Sequence, residues 1–233
     1  MKEEHIVEDE IQPASSGESM VPFVDWIRRY STLVPINIFE IGANLGQDAE
    51  VLRREFGLDA KQVWVFEPHP DCYRYIREHH DFNAFDIAIS NIDGVGNFNA
   101  IDIKKNNNSG ISSLLRDTLR EDDSFRKINV LTSRMDTFMC VREIRSVGFL
   151  KLDAEGFNYE ILEGFGSRLA DVNCVHVEAE HEEIWVGQRT YDDIADLLRN
   201  NGFELVFFQR YMSQSDSFWV QRKYIKTEKE SRI

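Results

Sequence analysis

Residues 40–46 read Glu-Ile-Gly-Ala-Asn-Leu-Gly and carry the sharpest chemical signal in the chain. An acid precedes two glycines spaced G-x-x-x-G. Gly42 permits a tight turn and Gly46 permits close backbone approach to a ligand, because glycine lacks the Cβ that forbids both. This is not the G-x-G-x-x-G of a pyrophosphate site, and no G-K-[ST] follows, which excludes a Walker loop. A carboxylate at Glu40 suits a ligand bearing an amino group better than a phosphate. Glu67 lies about 20 residues further on, where nucleoside-binding α/β folds hold ribose hydroxyls. Its two oxygens can each accept from one hydroxyl of a vicinal diol. Glu40, Gly42, Asn44, Gly46 and Glu67 together point to a nucleoside ligand with no essential phosphate. S-adenosylmethionine fits, with its ammonium and free ribose.

A second group follows the apolar run Phe149–Leu152. Asp153 and Glu155, at i and i+2, are expected on one side of the sheet rim. Glu178, Glu180 and His181 end another strand-like segment, Val172–Val177. If the two strands are neighbours, four carboxylates and one imidazole crowd a single crevice. Clustered carboxylates raise one another's pKa, which makes a base usable near neutrality. Such a base could take the proton of an acceptor hydroxyl, Asp153 first and Glu178 or His181 assisting. Alternatively Asp153 and Glu155 hold one Mg²⁺ that acidifies the hydroxyl. A purely structural role is open as well, with one acid capping the next helix and the other pairing with Lys151. His69 and His176 are given no role, and Trp185 is expected to pack in the core.

These residues need a scaffold, and the apolar pattern supplies one. Ile36–Ile41, Val63–Phe66, Phe85–Ile89, Phe149–Leu152 and Val172–Val177 read as buried strands, with Phe203–Phe208 and Phe218–Gln221 as a closing pair. Helical spacing marks Val21–Tyr30, Leu45–Phe56, Pro70–His79, Tyr159–Leu162 and Tyr191–Leu198, with Gly57 and Asn201-Gly202 as stops. Strand–helix alternation argues for an open α/β sheet with helices on both faces, binding its ligand outside the carboxyl ends of the strands. Residues 92–131 break the rhythm. They are polar and Asn-rich, with short strand candidates at Asn97–Ile101 and Ile128–Leu131, and are expected to form a lid or substrate loop.

The chain has 233 residues and a formal charge of −14, which argues against a general nucleic-acid binder. Its three cysteines, Cys72, Cys140 and Cys174, form no CxxC pair and fit a reducing, cytoplasmic setting. No signal-peptide pattern opens the chain, and no apolar run is long enough to span a membrane. Residues 1–20 carry six acids and one lysine and are expected to form a flexible tail, as are 226–233. Residues 21–225 are expected to form a single domain. The oligomeric state is open.

Glu40–Gly46, Phe66-Glu67-Pro68 and above all Phe149–Gly156 (Phe-Leu-Lys-Leu-Asp-Ala-Glu-Gly) resemble the FkbM-type S-adenosylmethionine-dependent methyltransferases. In that family a K-I-D-V-E-G turn precedes a helix reading E-x-x-V-L-x-G, to which Tyr159–Gly164 corresponds here. Arg134–Phe138, Val177-Glu178 and Gly202-Phe203 extend the resemblance over about Ile36 to Val220. It implies a Rossmann-like class I methyltransferase fold: a mostly parallel seven-stranded sheet, helices on both faces, an antiparallel closing strand. It also implies O-methylation of a small-molecule or glycan hydroxyl. Asn108–Leu114 is similar to a family segment near cofactor or acceptor. Ser90 falls where methyltransferases contact adenine. A nicotinamide-dependent oxidoreductase and a non-catalytic binding module are the alternatives.

Overall fold

The computed structural model describes residues 20–106, 108–118 and 124–226. The expected tails, residues 1–19 and 227–233, lie outside these, but Met20, placed above in the first tail, is buried at the start of α1 (Val21–Tyr30). Lys226, placed in the second, donates its backbone N–H to Tyr30.

Seven strands form the main sheet: β1 (Ile38–Ile41), β2 (Val63–Phe66), β3 (Asn83–Phe85), β7 (Phe149–Leu152), β8 (Cys174–Glu180), β9 (Phe203–Tyr211) and β10 (Gln214–Gln221). Their order is β3-β2-β1-β7-β8-β10-β9. β10 runs antiparallel to both its neighbours and the remaining pairs are parallel, as expected. Every residue of β1 and β7 is buried, so these short apolar runs sit at the centre of the sheet. The order reverses between β1 and β7, and a crevice opens there at the strands' carboxyl ends.

Amphipathic helices cover both faces. α1, α2 (Gln47–Phe56) and α3 (Pro70–His79) pack with Ile38, Val63, Val65, Phe149 and Phe218 into one core. α4 (Met135–Val141), α5 (Asn158–Gly164) and α6 (Tyr191–Asn200) pack on the opposite face against Phe39, Leu150, Val175 and Val177. α4 was not anticipated from the sequence. Gly57, at φ +65°, ends α2 in the left-handed conformation that suits glycine.

Two expectations need correction. Phe85–Ile89 is not one strand. Its first part closes the edge of the main sheet as β3, and after Asp86 the chain crosses to a second sheet as β4 (Ile87–Ser90). Within 92–131, two stretches are long strands rather than loop. β5 (Gly94–Ile101) and β6 (Phe125–Arg134) form a long antiparallel pair, and β4 adds to it in the order β4-β6-β5. Residue 107 and residues 119–123 of this region lie outside the described ones. Most residues of this pair are exposed or half-buried, and the described residues of 102–118 between them belong to neither strand. No described helix is long and apolar enough to cross a membrane.

Candidate functional site

A cavity opens at the crevice, with about 510 Å³ of empty space including its mouth. Ile41, Gly42 and Asn44 of the glycine turn form its floor and Glu67 one wall. Ala88, Ile89 and Phe157 supply apolar lining, Asp153 a charged end, and Ser109, Gly110, Ser112, Ser113 and Leu114 line it as well.

The turn is shaped by close packing. Gly42 has φ +78°, and a Cβ there would lie 1.9 Å from the Asp153 carbonyl oxygen. Glycine is therefore dictated by the crossing of two chain segments. Asn44, also left-handed at φ +48°, donates its backbone N–H to Glu67 Oε2 at 2.7 Å. His69 N–H donates to Glu67 Oε1 at 2.8 Å. Each Glu67 oxygen holds one backbone donor and keeps lone-pair capacity for a ligand. Burial pushes the Glu67 carboxyl up to about 7, against the pull of these two bonds.

Three serines lay the 109–114 strap over the cavity. Ser109 Oγ donates to Asn44 Oδ1 at 2.7 Å, and Ser113 Oγ donates to the Glu155 carbonyl at 2.7 Å. Ser112 Oγ accepts from Ile101 N–H at 3.0 Å.

The charged end is organised by Lys151, 4% exposed. Register places Glu40, Lys151 and His176 side by side on β1, β7 and β8. The Lys151 ammonium lies 3.4 Å from Glu40, 3.1 Å from Asp48 and 3.1 Å from Asp153. Burial disfavours its charge, but the three carboxylates outweigh burial and hold its pKa well above the usual range. Glu178 is raised to about 8, first by Asp153 and then by burial and Asp216. Gln214 Nε2 donates to its Oε1 at 2.8 Å. Asp153 thus stands between an ammonium and a carboxyl group whose ionised form its own charge disfavours.

The sequence-derived candidates divide on this geometry. Gly42, Asn44, Glu67 and Asp153 line the cavity, and Glu178 adjoins Asp153. Glu40 does not line it. Its carboxylate accepts Ala49 N–H at 3.0 Å and faces Lys151, and burial pushes its carboxyl up to about 8. The acid is a buried brace beneath the glycine turn. Gly46 caps α2 and faces the rings of His80 and Phe82. Ser90 is buried outside the cavity, where Ile92 N–H donates to its hydroxyl; its neighbours Ala88 and Ile89 supply the wall. Glu155 lies outside the lining, its chain turned aside at φ +48°. Strand alternation sends His181 to the α6 face, opposite Glu178, where its ring packs against Tyr191 and Phe208. Trp185 is 1% exposed, as expected, its ring against Gly156.

Among the described residues no three His, Cys, Asp or Glu side chains stand where they could share a metal ion.

Sequence reasoning missed Lys151 as the hub of the charged end. Its signal was a lysine inside an otherwise apolar strand, which needs buried counter-charges. It also passed over Asp48, Asp216 and Gln214, whose positions depend on helix and strand neighbours distant in sequence.

The methyltransferase FkbM domain family matches residues 40–205. The 2-O-methyltransferase NoeI of Sinorhizobium fredii (strain NBRC 101917 / NGR234) is 29% identical over 181 residues, 72% of this chain and 72% of its own. Among solved structures, magnesium protoporphyrin IX methyltransferase from Synechocystis PCC 6803, with bound SAM, aligns over 88% of this chain and 77% of its own, at 10% identity and TM-score 0.49. Methyltransferase FkbM from Methylobacillus flagellatus KT aligns over 79% of this chain and 43% of its own, at 12% identity and TM-score 0.47.

Proposed function

The chain belongs to the FkbM methyltransferase family, and from that premise we propose that it transfers a methyl group from S-adenosylmethionine to a hydroxyl of a sugar, glycan or secondary metabolite. The observation that carries this reading is Glu67: a buried carboxylate on the cavity wall, each oxygen held by one backbone N–H and free to accept one hydroxyl of a ribose diol. The apolar lining at Ala88, Ile89 and Phe157 fits a planar base. Asp153, at the charged end, fits the position of the reacting hydroxyl. The relative from Sinorhizobium fredii is named for 2-O-methylation, which supports oxygen as the acceptor atom.

The cofactor, when bound, supplies an electrophilic methyl on a sulfonium. The chain's own residues do the rest. Glu67 holds the ribose. Asp153 accepts the proton of the acceptor hydroxyl as its oxygen bonds to the methyl carbon. The Lys151 ammonium at 3.1 Å fixes the orientation of that carboxylate. Glu178, whose ionised form Asp153 disfavours, can in its protonated form hydrogen-bond the acceptor or Asp153 without adding a second negative charge. The 109–114 strap excludes water from the cavity.

Calorimetric titration with S-adenosylhomocysteine tests the reading, with NADH as control. Binding of the first and silence from the second are expected. Folded protein that binds neither would overturn it, and binding of NADH alone would favour an oxidoreductase.

A further inference from the structure

We infer that His69 is a positioning residue of the nucleoside site, aligning the Glu67 carboxylate and tying it to the strand and strap that roof the cavity. The inference rests on the nucleoside reading of Glu67. His69 is fully buried and does not line the cavity. It stands between Pro68 and Pro70, neither of which has a backbone N–H. The one N–H that this tripeptide retains is that of His69, and it goes to Glu67 Oε1.

The ring fixes where that N–H points. Nδ1 accepts from Asp71 N–H at 3.2 Å, capping α3. Nδ1 is therefore the unprotonated nitrogen, and Nε2 carries the hydrogen. Nε2–H donates to the carbonyl of Ile101, 3.0 Å away at the end of β5. Ile101 N–H in turn donates to Ser112 Oγ, and Ser112 lines the cavity. A continuous path of hydrogen bonds thus runs from Glu67 through His69 and Ile101 to the strap. An imidazole buried only as a helix cap would need one nitrogen; this one uses both.

Three replacements separate the two functions of the ring. In His69→Asn the side-chain oxygen can still cap α3 but cannot reach Ile101. In His69→Gln the amide nitrogen reproduces Nε2 and keeps the tether while losing the cap. His69→Leu loses both. Titration with S-adenosylhomocysteine, with thermal unfolding alongside, is expected to show affinity about tenfold lower in the Leu variant, the cost of one misaligned hydrogen-bond partner. The Asn variant should stay near wild-type Tm and bind almost as weakly as Leu. The Gln variant should recover most of the affinity. In a Glu67→Gln background the three replacements should differ by less than about twofold, because the ring acts through Glu67.

Wild-type affinity in the Asn variant, or an equal loss in the Glu67→Gln background, would overturn the inference and leave the nucleoside reading intact. Folded wild-type protein that fails to bind S-adenosylhomocysteine would overturn both.

Discussion

The two ends of the cavity bury carboxylates by different means. At the Glu67 end one acid is held by two backbone N–H groups, with no ion-pair partner among the described residues. At the Asp153 end one ammonium faces Glu40, Asp48 and Asp153, and Glu178 adjoins them. Backbone donors orient a carboxylate and leave its outer lone pairs to a ligand, which suits binding. A cation shared among several acids sets which of them carry protons, which suits proton transfer. Cofactor affinity and turnover should therefore separate along this line.

The sharpest way to break that division is Asp153→Asn. It should lower turnover about 10²–10⁴-fold, the usual worth of a general base. Affinity for S-adenosylhomocysteine should hardly change. Transfer of labelled methyl to a glycan pool, with calorimetry in parallel, checks both, and retained turnover would remove Asp153 from the chemistry.

Lys151→Met strips the counter-ion from three carboxylates. Breaking a buried ion pair on one side typically costs ~3–5 kcal/mol, so denaturant unfolding should show a loss of that order. A loss below about 1 kcal/mol, the worth of a surface pair, would mean that the acids are solvated and the two ends are not electrostatically distinct.

The Glu67 end predicts a pH dependence of binding. Its carboxyl is raised from 4.5 to about 7, so the fully ionised acceptor is present above that pH and is lost as pH falls through it. Affinity for S-adenosylhomocysteine should be level above pH 8 and weaken by up to about tenfold per unit below pH 7, the limit for one proton. Flat affinity from pH 6 to 8.5 would contradict the assignment.

The smallest effect belongs to His181→Ala. The ring packs on the α6 face, so turnover should change by less than about twofold, while packing loss costs ~1 kcal/mol in unfolding. A large drop in turnover would place His181 back in the mechanism.

Much of this was legible in the chain. Val63–Phe66 and Phe149–Leu152 stand as strands at the expected residues, because a parallel strand buried on both faces reads as an unbroken apolar run. Glu67 and Asp153 were found because each is the first polar group after such a run, and strand ends open into the crevice. The strand break at Asp86 left no signal, since local pattern does not say which sheet a strand joins. Gly46 and Ser90 lie outside the cavity lining for a related reason: a short motif locates the turn, not the direction that each of its residues faces.

By itself, then, the amino-acid order determined the alternation of strands and helices, the two turns that meet at the crevice, and the acids that end them. Those are local properties, set by periodicity and turn chemistry over a few residues. Only the tertiary structure decided which acids face the cavity and which face a buried partner. Glu40 and Glu67 both lie on or just after buried strands, yet one faces Lys151 and the other the cavity. The reason is position along the strand. Glu40 lies inside β1 opposite Lys151 of β7, whereas Glu67, on the same face, lies just past the end of β2, where the crevice opens.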